Sequence, residues 1–450
     1  MTYGETVFRG SHPAASPGAT AEQVSQAGSR RGFLRTAAFA GAASALSAGL
    51  GAGAPQAQAA TVAGLTLPPA GKDIQRFDLH VPQSALNDLR RRLASARLPE
   101  AETVDDVSQG VRIDRLRGLV AYWRTRYDWR ELEARLNRLG QYRTEIDGLG
   151  IHFLHIRSPH ADALPVILNH GWPGSFVEFL DVIGPLTDPT RYGGSARDAF
   201  HVVIPSMPGH GFSDRPGRTG WDTARIAGAW VELMRRLGYR RYIAQGGDWG
   251  GSVTTQMARL RPSGLLGVHL NLPEFMLTNT PLGDSTPEEQ AAIAQQQVFG
   301  AQGSGYFQEQ GTRPQTVGYG LADSPTGQAA WIYEKFTDWT DSDHRPEQVL
   351  GHERMLDDIT LYWLTNTGAS SARLYWEFYQ DTHELTVLDL PVGVSVFPAE
   401  LVRTPRVWAE KAYKNLVYFN DDIAAGGHFA AFEQPGIFTK ELRSYARLVR

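Results

Sequence analysis

Between residues 73 and 139 the hydrophobic positions have the spacing of helices. Apolar residues recur three and four positions apart in two runs: Leu86, Leu89 and Leu93, then Leu116, Leu119, Val120 and Trp123. This spacing puts the apolar side chains of each run on one helix face. We therefore predict two or three helices here, which form a helical N-terminal region at 60–141.

From Tyr142 onward, short runs rich in β-formers alternate with helical runs. The predicted strands are 144–157, 164–170, 200–205, 241–246 and 265–271, and the predicted helices lie near 175–186, 222–237 and 250–260. This alternation is typical of a mostly parallel sheet with helices on both faces. We assign 142–275 to the first part of an α/β core.

The alternation stops at residue 276 and resumes only near the end of the chain. Residues 276–384 are rich in Gln, Gly and aromatic side chains and contain helical runs at 329–339 and 356–363. Two more strands, 392–397 and 415–419, are expected to return to the same sheet in a second core part, 385–450. An insertion between strands covers the sheet edge where ligands bind, so 276–384 is predicted to be a helical lid.

Composition and charge exclude several classes of function. The 450 residues carry a net charge of -4 with basic and acidic residues interspersed, which argues against a nucleic-acid partner. The absence of cysteine excludes disulfides, zinc-thiolate sites and a Cys nucleophile. The histidines show no metal-ligand spacing, so neither a metal nor a cofactor is expected.

Residues 1–59 have the features of an export leader rather than of a fold. The run SRRGFLR at 29–35 resembles a twin-arginine signal, and an Ala/Gly-rich stretch leads from it to an A-x-A cleavage pattern at 57–59. We expect a secreted or extracytoplasmic protein that has no stable membrane anchor after cleavage of the signal.

Two glycines stand on each side of Asp248 and its neighbour Trp249, in the run QGGDWGG at a predicted strand-to-helix junction. In a nucleophile elbow, G-x-S-x-G, glycines flank the nucleophile because the turn is too tight for side chains. Asp248 occupies the serine position of this motif. On this run alone, an ordinary helix N-cap aspartate is an equally good interpretation.

Other motifs stand where a nucleophile at Asp248 would need them. The run NHGWPG at 169–174 follows the second core strand, where the α/β-hydrolase fold supplies one backbone N–H of an oxyanion hole; Trp172 and Trp249 would donate these N–H groups. His428, in GGHF, completes the chain order nucleophile, acid, histidine. The acid is predicted to be Glu400, after the penultimate strand, with Glu274 as the alternative.

In the combination and order of these motifs, the chain resembles the microsomal-type epoxide hydrolase family over most of residues 73–436. The shared segments are the helical N-terminal region, HGWP at 170–173, PGHGFS at 208–213, and the segments 318–339 and 426–435. The resemblance implies an α/β-hydrolase fold with an N-terminal epoxide hydrolase domain. It also implies a pair of catalytic lid tyrosines, at Tyr306 and Tyr375, for which a packed lid aromatic is the alternative. Membrane-bound relatives carry an N-terminal anchor where this chain has its predicted export signal.

The residue type at the elbow selects the chemistry. A carboxylate with an ordinary pKa of about 3.9 is ionised at neutral pH and attacks without a base. Its attack on an epoxide gives an ester, which water cleaves, whereas a serine would give an ether. Hydroxyl donors from the lid would assist ring opening, and His428 held by Glu400 would activate water, so we predict a hydrolase that converts small apolar epoxides to vicinal diols.

Two other functions fit parts of the pattern. A haloalkane or haloacid dehalogenase also uses an aspartate nucleophile, although a halide needs N–H donors without proton transfer. A non-catalytic α/β-hydrolase relative could bind an apolar ligand under the lid, against which the complete nucleophile, acid and histidine set argues. The sequence does not determine the substrate, the stereochemistry of the reaction or the oligomeric state. A homodimer is compatible with it.

Overall fold

The computed structural model describes residues 61–62, 65–277, 281–380 and 387–450. The export signal predicted within residues 1–59 lies outside this range and stays a prediction. Within the described ranges, no helix combines the length and the apolar character that a membrane crossing requires.

The strands, in chain order, are β1 (Thr61–Val62), β2 (Leu65–Thr66), β3 (Gln75–Arg76), β4 (Gln141–Ile146), β5 (Leu149–Ile156), β6 (Leu164–Asn169), β7 (Phe200–Pro205), β8 (Tyr242–Gly246), β9 (Leu265–Leu270), β10 (Val392–Ser395) and β11 (Leu416–Asn420). Nine of them form one sheet in the order β11-β10-β9-β8-β6-β7-β5-β4-β3. The pairs from β11 to β7 are parallel, and those from β7 to β3 are antiparallel. The predicted α/β-hydrolase architecture, a mostly parallel sheet with helices, is confirmed.

The helices, in chain order, are α1 (Gln83–Ala94), α2 (Ile113–Thr125), α3 (Trp129–Arg138), α4 (Ile183–Thr187), α5 (Thr223–Arg236), α6 (Asp248–Leu260), α7 (Glu274–Leu277), α8 (Pro287–Val298), α9 (Gly305–Thr312), α10 (Pro314–Asp323), α11 (Pro325–Trp339), α12 (Gly351–Thr365), α13 (Gly368–Tyr379), α14 (Arg406–Ala412), α15 (Ala430–Glu433) and α16 (Pro435–Val449). Helices α8 to α13 lie between β9 and β10, in the segment predicted to be a lid. They are the elements that supply side chains over the carboxyl ends of the strands.

Two predicted elements are wrong in detail. The single strand predicted at 144–157 is a hairpin, β4 and β5, because Asp147 and Gly148 adopt positive φ angles of 53° and 76° in the turn. An Asp-Gly pair favours this tight hairpin turn. The helix predicted at 175–186 is a short 3-10 helix, Phe176–Phe179, followed by α4. Pro185 lacks the N–H that a continuous helix would need, so a new helix starts just before it.

The N-terminal helices pack against the lid. Helix α1 contacts α11, α2 contacts α11 and α12, and α3 contacts α12. Leu89, Leu119 and Trp123 are buried at the apolar faces that the sequence pattern predicted. A hydrogen bond of 2.8 Å from the Tyr127 hydroxyl to Asp357 fastens the loop before α3 to α12. The N-terminal helices α1 to α3 therefore support the lid helices α11 and α12.

A buried ion pair fixes the PGHGFS loop against the hairpin. The Asp214 carboxylate pairs with Arg143, whose side chain is 3% exposed, and accepts the Gly150 N–H at 2.9 Å. The Ser213 hydroxyl accepts the His152 N–H at 2.9 Å. The Arg143 guanidinium also donates to the Pro68 carbonyl, and among the described residues Asp214 is the carboxylate that balances its enclosed charge.

Replacing Asp214 with Ala should lower the free energy of unfolding by about 2–4 kcal/mol, because it leaves a buried guanidinium without its partner. Urea denaturation measures the change. The matched control is Glu410→Ala, which removes a pair with Arg406 whose side chains are 60% and 52% exposed for the arginine and the glutamate; there the loss should stay below about 1 kcal/mol. Equal losses in the two variants would contradict the special role of the enclosed pair.

Candidate active site

Asp248 is the first residue of α6 and stands at the sharp bend that follows β8. Its backbone has a φ of 53°, in the left-handed region that non-glycine residues rarely adopt. A side chain at Gly250 would lie 2.0 Å from the backbone oxygen of Asn169, so only glycine lets α6 come this close to the end of β6. The N-cap of α6 is Gly247, and the N-cap interpretation of Asp248 is therefore wrong.

The loop after β6 fits over the Asp248 side chain. The Trp172 N–H donates a hydrogen bond of 2.8 Å to Asp248 Oδ1, and the Trp249 N–H is a second donor to the same carboxylate. A Cβ atom at Gly171 would lie 2.5 Å from the Cβ of Asp248, which explains why glycine stands there. Both N–H groups predicted for the oxyanion hole thus converge on the carboxylate.

His428 lies between Asp248 and Glu400. Its Nε2 is 3.6 Å from Asp248 Oδ2, and its Nδ1 is 2.7 Å from Glu400 Oε1. Glu400 follows β10 and His428 follows β11, and a bridge between Ala399 and Gly427 joins the two loops. The adjacent parallel strands thereby bring together the predicted nucleophile, histidine and acid.

Glu274, the alternative acid, is engaged elsewhere. Its Oε1 accepts a hydrogen bond of 2.7 Å from the Ser252 hydroxyl, and its Oε2 pairs with Arg259 at 2.9 Å. These partners lie on α6, so the carboxylate stabilises the contact between α6 and α7. The structure places Glu400, and not Glu274, against His428.

The charges of Asp248 and His428 depend on each other. Burial raises the pKa of Asp248, and the protonated imidazole and the N–H groups of Trp172 and Trp249 oppose that rise. Burial alone would lower the pKa of His428, but the negative charges of Glu400 and Asp248 outweigh it and raise the value to about 9. A pKa of about 9 makes His428 an imidazolium at neutral pH in the free site, instead of the neutral imidazole that the sequence suggested.

The two lid tyrosines meet over Trp172. Tyr306 on α9 stacks on the Trp172 ring with centroids 5.2 Å apart, and Tyr375 on α13 meets the same ring edge-on at 5.6 Å. The two tyrosine rings lie 5.8 Å apart and nearly perpendicular. Trp172 contacts both phenols through its ring and Asp248 through its backbone N–H. Both phenols therefore lie on the lid side of the nucleophile.

Both phenols are held in their protonated form. Burial, together with the negative charge of Asp248, raises the pKa of Tyr306 and of Tyr375 well above that of an ordinary phenol. The Tyr375 hydroxyl is buried, and its polar neighbours are the Trp249 indole and the Tyr306 hydroxyl. The pair can therefore donate hydrogen bonds to a molecule that enters between the lid and Asp248.

Two titratable residues at the site were not predicted from the sequence. Lys335 on α11 is buried against the Tyr306 ring, and Glu178 lines the same small cavity as Asp248 and His428. The cavity has a volume of about 20 Å³, which is room for about one water molecule. In the sequence, Lys335 could have been noticed because it stands four positions from both Trp331 and Trp339. Glu178 could have been noticed because it is a carboxylate within the apolar run FVEF.

The site residues do not form a metal centre. Both nitrogens of His428 face carboxylates, and in the ranges that the structure describes no three His, Asp or Glu side chains are arranged to hold a metal ion. The groups present are a nucleophile, a base with its orienting acid, and donors on two sides of the carboxylate.

Comparison with known proteins yields related sequences and structures. Residues 74–179 match the family model described as epoxide hydrolase N terminus, and 165–324 match the alpha/beta hydrolase fold. A Stigmatella aurantiaca protein with epoxide hydrolase in its name is 61% identical over 84% of this chain and 86% of its own. Epoxide hydrolase 1 of Sus scrofa is 35% identical over 85% of this chain and 91% of its own. The structure of Aspergillus niger epoxide hydrolase superposes with a TM-score of 0.74, with 33% identity over 85% of this chain and 99% of its own.

Replacing Asp248 with Ala should lower the pKa of His428 from its value of about 9, because one of the two carboxylates that favour the imidazolium is removed. Titration of the imidazole by NMR measures the shift. In the control variant Glu274→Gln, the pKa of His428 should stay unchanged, since Glu274 pairs with Arg259. A His428 titration that is identical in wild type and Asp248→Ala would refute the coupling.

Proposed function

The chain belongs to the epoxide hydrolase family, and we propose that it converts epoxides to vicinal diols through an ester on Asp248. The observation that carries this proposal is the position of the Asp248 carboxylate at the bend before α6. Two backbone N–H groups, the His428–Glu400 pair and two buried phenols surround it. This set serves the two half-reactions of epoxide hydrolysis.

In the first half-reaction the carboxylate opens the ring. An oxygen of Asp248 attacks the less hindered epoxide carbon, and the bond from that carbon to the epoxide oxygen breaks. The electron pair goes to the epoxide oxygen, which takes a proton from Tyr306 or Tyr375. The phenol recovers its proton from solvent. No base is needed, because an ionised carboxylate is already a nucleophile.

In the second half-reaction His428 becomes the base. Once Asp248 is an ester it carries no charge, so one of the interactions that favour the imidazolium is lost. The imidazolium then releases its proton to solvent, and neutral His428 takes a proton from water, whose oxygen adds to Cγ of Asp248 while the Trp172 and Trp249 N–H groups stabilise the oxyanion. The bond to the diol oxygen breaks, and His428 gives its proton to that oxygen. The second proton of the water then passes from the Asp248 acid to His428, which restores the carboxylate, now with one oxygen from water, and the imidazolium.

One observation favours a second candidate function. The indole N–H of Trp249 is buried beside the Tyr375 hydroxyl, and such a donor is what a departing halide needs. Release of halide through attack by Asp248 is therefore measured in the same experiment as epoxide opening. The paired phenols on the lid favour the epoxide, because its oxygen gains from proton transfer and a halide does not.

A single turnover in heavy-oxygen water should put the label into Asp248 and leave the first diol unlabelled, because water attacks the ester carbonyl. Mass spectrometry of the peptide that contains Asp248 and of the diol measures the distribution, with styrene oxide as the probe. Asp248→Ala should form no ester and no diol. Label in the first diol would indicate direct attack of water on the ring, and release of chloride from a chloroalkane of similar size at a comparable rate would favour the second candidate.

Tyr306→Phe should slow ester formation by about 10²- to 10⁴-fold, the contribution expected of a general acid. Rapid-mixing measurement of the ester after one turnover gives this rate separately from that of hydrolysis. The control is Tyr379→Phe, which removes the hydroxyl of a lid tyrosine that is 39% exposed and binds Gln308. An unchanged rate in Tyr306→Phe would remove this residue from the mechanism.

A further inference from the structure

A lysine is enclosed by aromatic rings behind the lid tyrosine. Lys335 lies on α11, and only 3% of its side chain is exposed. Its Nζ lies 4.4 Å from the centre of the Tyr306 ring and 5.6 Å and 5.8 Å from the centres of Trp339 and Trp331. The three α11 residues are four positions apart and share one helix face. The ammonium group therefore rests against π-electron faces, which attract cations.

Burial of this ammonium group is costly. Burial lowers the pKa of Lys335, and the nearby carboxylates of Glu334 and Asp338 oppose that change. The carboxylate that pairs with it, Glu334 at 3.1 Å, is one-third exposed and therefore screened by water. A charge kept in such surroundings for packing alone could be exchanged for an apolar side chain without loss of stability. Its position against Tyr306 suggests a use in the reaction.

We propose that Lys335 is a positioning residue that acts through Tyr306 in ring opening. This inference rests on the proposed function, in which a phenol gives its proton to the epoxide oxygen. As that proton leaves, negative charge grows on the Tyr306 ring, while the carboxylates of Asp248, Glu334 and Glu400 disfavour it. A cation fixed on the ring face offsets their effect and stabilises the transition state.

The role is specific to one half-reaction. Hydrolysis of the ester uses His428, Glu400 and the backbone donors, and the proposed mechanism gives Tyr306 no part in it. Removal of the Lys335 charge should therefore slow ester formation and leave ester hydrolysis almost unchanged. A lysine that merely supported the packing of α11 would affect both rates, since Trp339 on the same helix also touches the His428 ring at 5.0 Å.

The experiment measures both rates with styrene oxide in wild type, Lys335→Met and Lys335→Arg. In Lys335→Met, which keeps the length of the side chain, ester formation should slow about 10- to 100-fold. Hydrolysis of the ester should stay within about twofold of wild type if the charge acts only through the phenol. Lys335→Arg should recover most of the rate, because a guanidinium also stacks on aromatic faces. In a Tyr306→Phe background, Lys335→Met should have almost no further effect.

The matched control is Lys411→Met, which removes a lysine that pairs with Glu289 at 3.2 Å away from Tyr306 and should leave both rates unchanged. If Lys335→Met fails to fold, as judged by circular dichroism, Lys335→Gln replaces it. Unchanged ester formation in the folded variant, or an equal loss in the Tyr306→Phe background, would overturn the role of Lys335 alone. Absence of any ester on Asp248 in wild type would overturn the proposed function, and this role with it.

Discussion

The site depends on the close contact between the loop after β6 and the bend that holds Asp248. That contact exists because Gly171 and Gly250 lack side chains where the two backbones meet. It brings the Trp172 N–H within 2.8 Å of the carboxylate, so a buried negative charge has a donor before any ligand arrives. His428, the tyrosines and the lid are arranged around a group that this contact has already oriented.

Burial then links the charges of the site to its chemistry. The carboxylates of Glu400 and Asp248 raise the pKa of His428 to about 9, so the imidazole of the resting site is protonated at neutral pH. Formation of an ester removes one of the charges that keep the proton there. The nucleophile thus controls the protonation of the base, and a sequence motif cannot reveal this, because the effect arises from the distance between two groups that are 180 positions apart in the chain.

The sequence predicted most strands of the core and the meeting of Asp248, His428 and Glu400, since each of these residues follows a strand with a clear periodic pattern. The hairpin at Asp147 was missed because an alternating pattern runs through the turn, although the Asp-Gly pair indicated it. Tyr306 and Tyr375 came from family resemblance, because a tyrosine in a helical lid has no local mark of function. Lys335 was missed because a residue between two tryptophans at helical spacing reads as core until tertiary packing brings the Tyr306 ring against it.

The packing of α1 and α2 on α11 joins two regions that are distant in the chain. Helix α11 carries Lys335 on the side that meets Tyr306, while its contacts with α1 and α2 hold the same helix in place. Sequence drift in the N-terminal region is therefore constrained by the lid it supports. A chimaera that exchanges lids between family members has to exchange the N-terminal helices as well, because the position of α11 depends on its packing against α1 and α2.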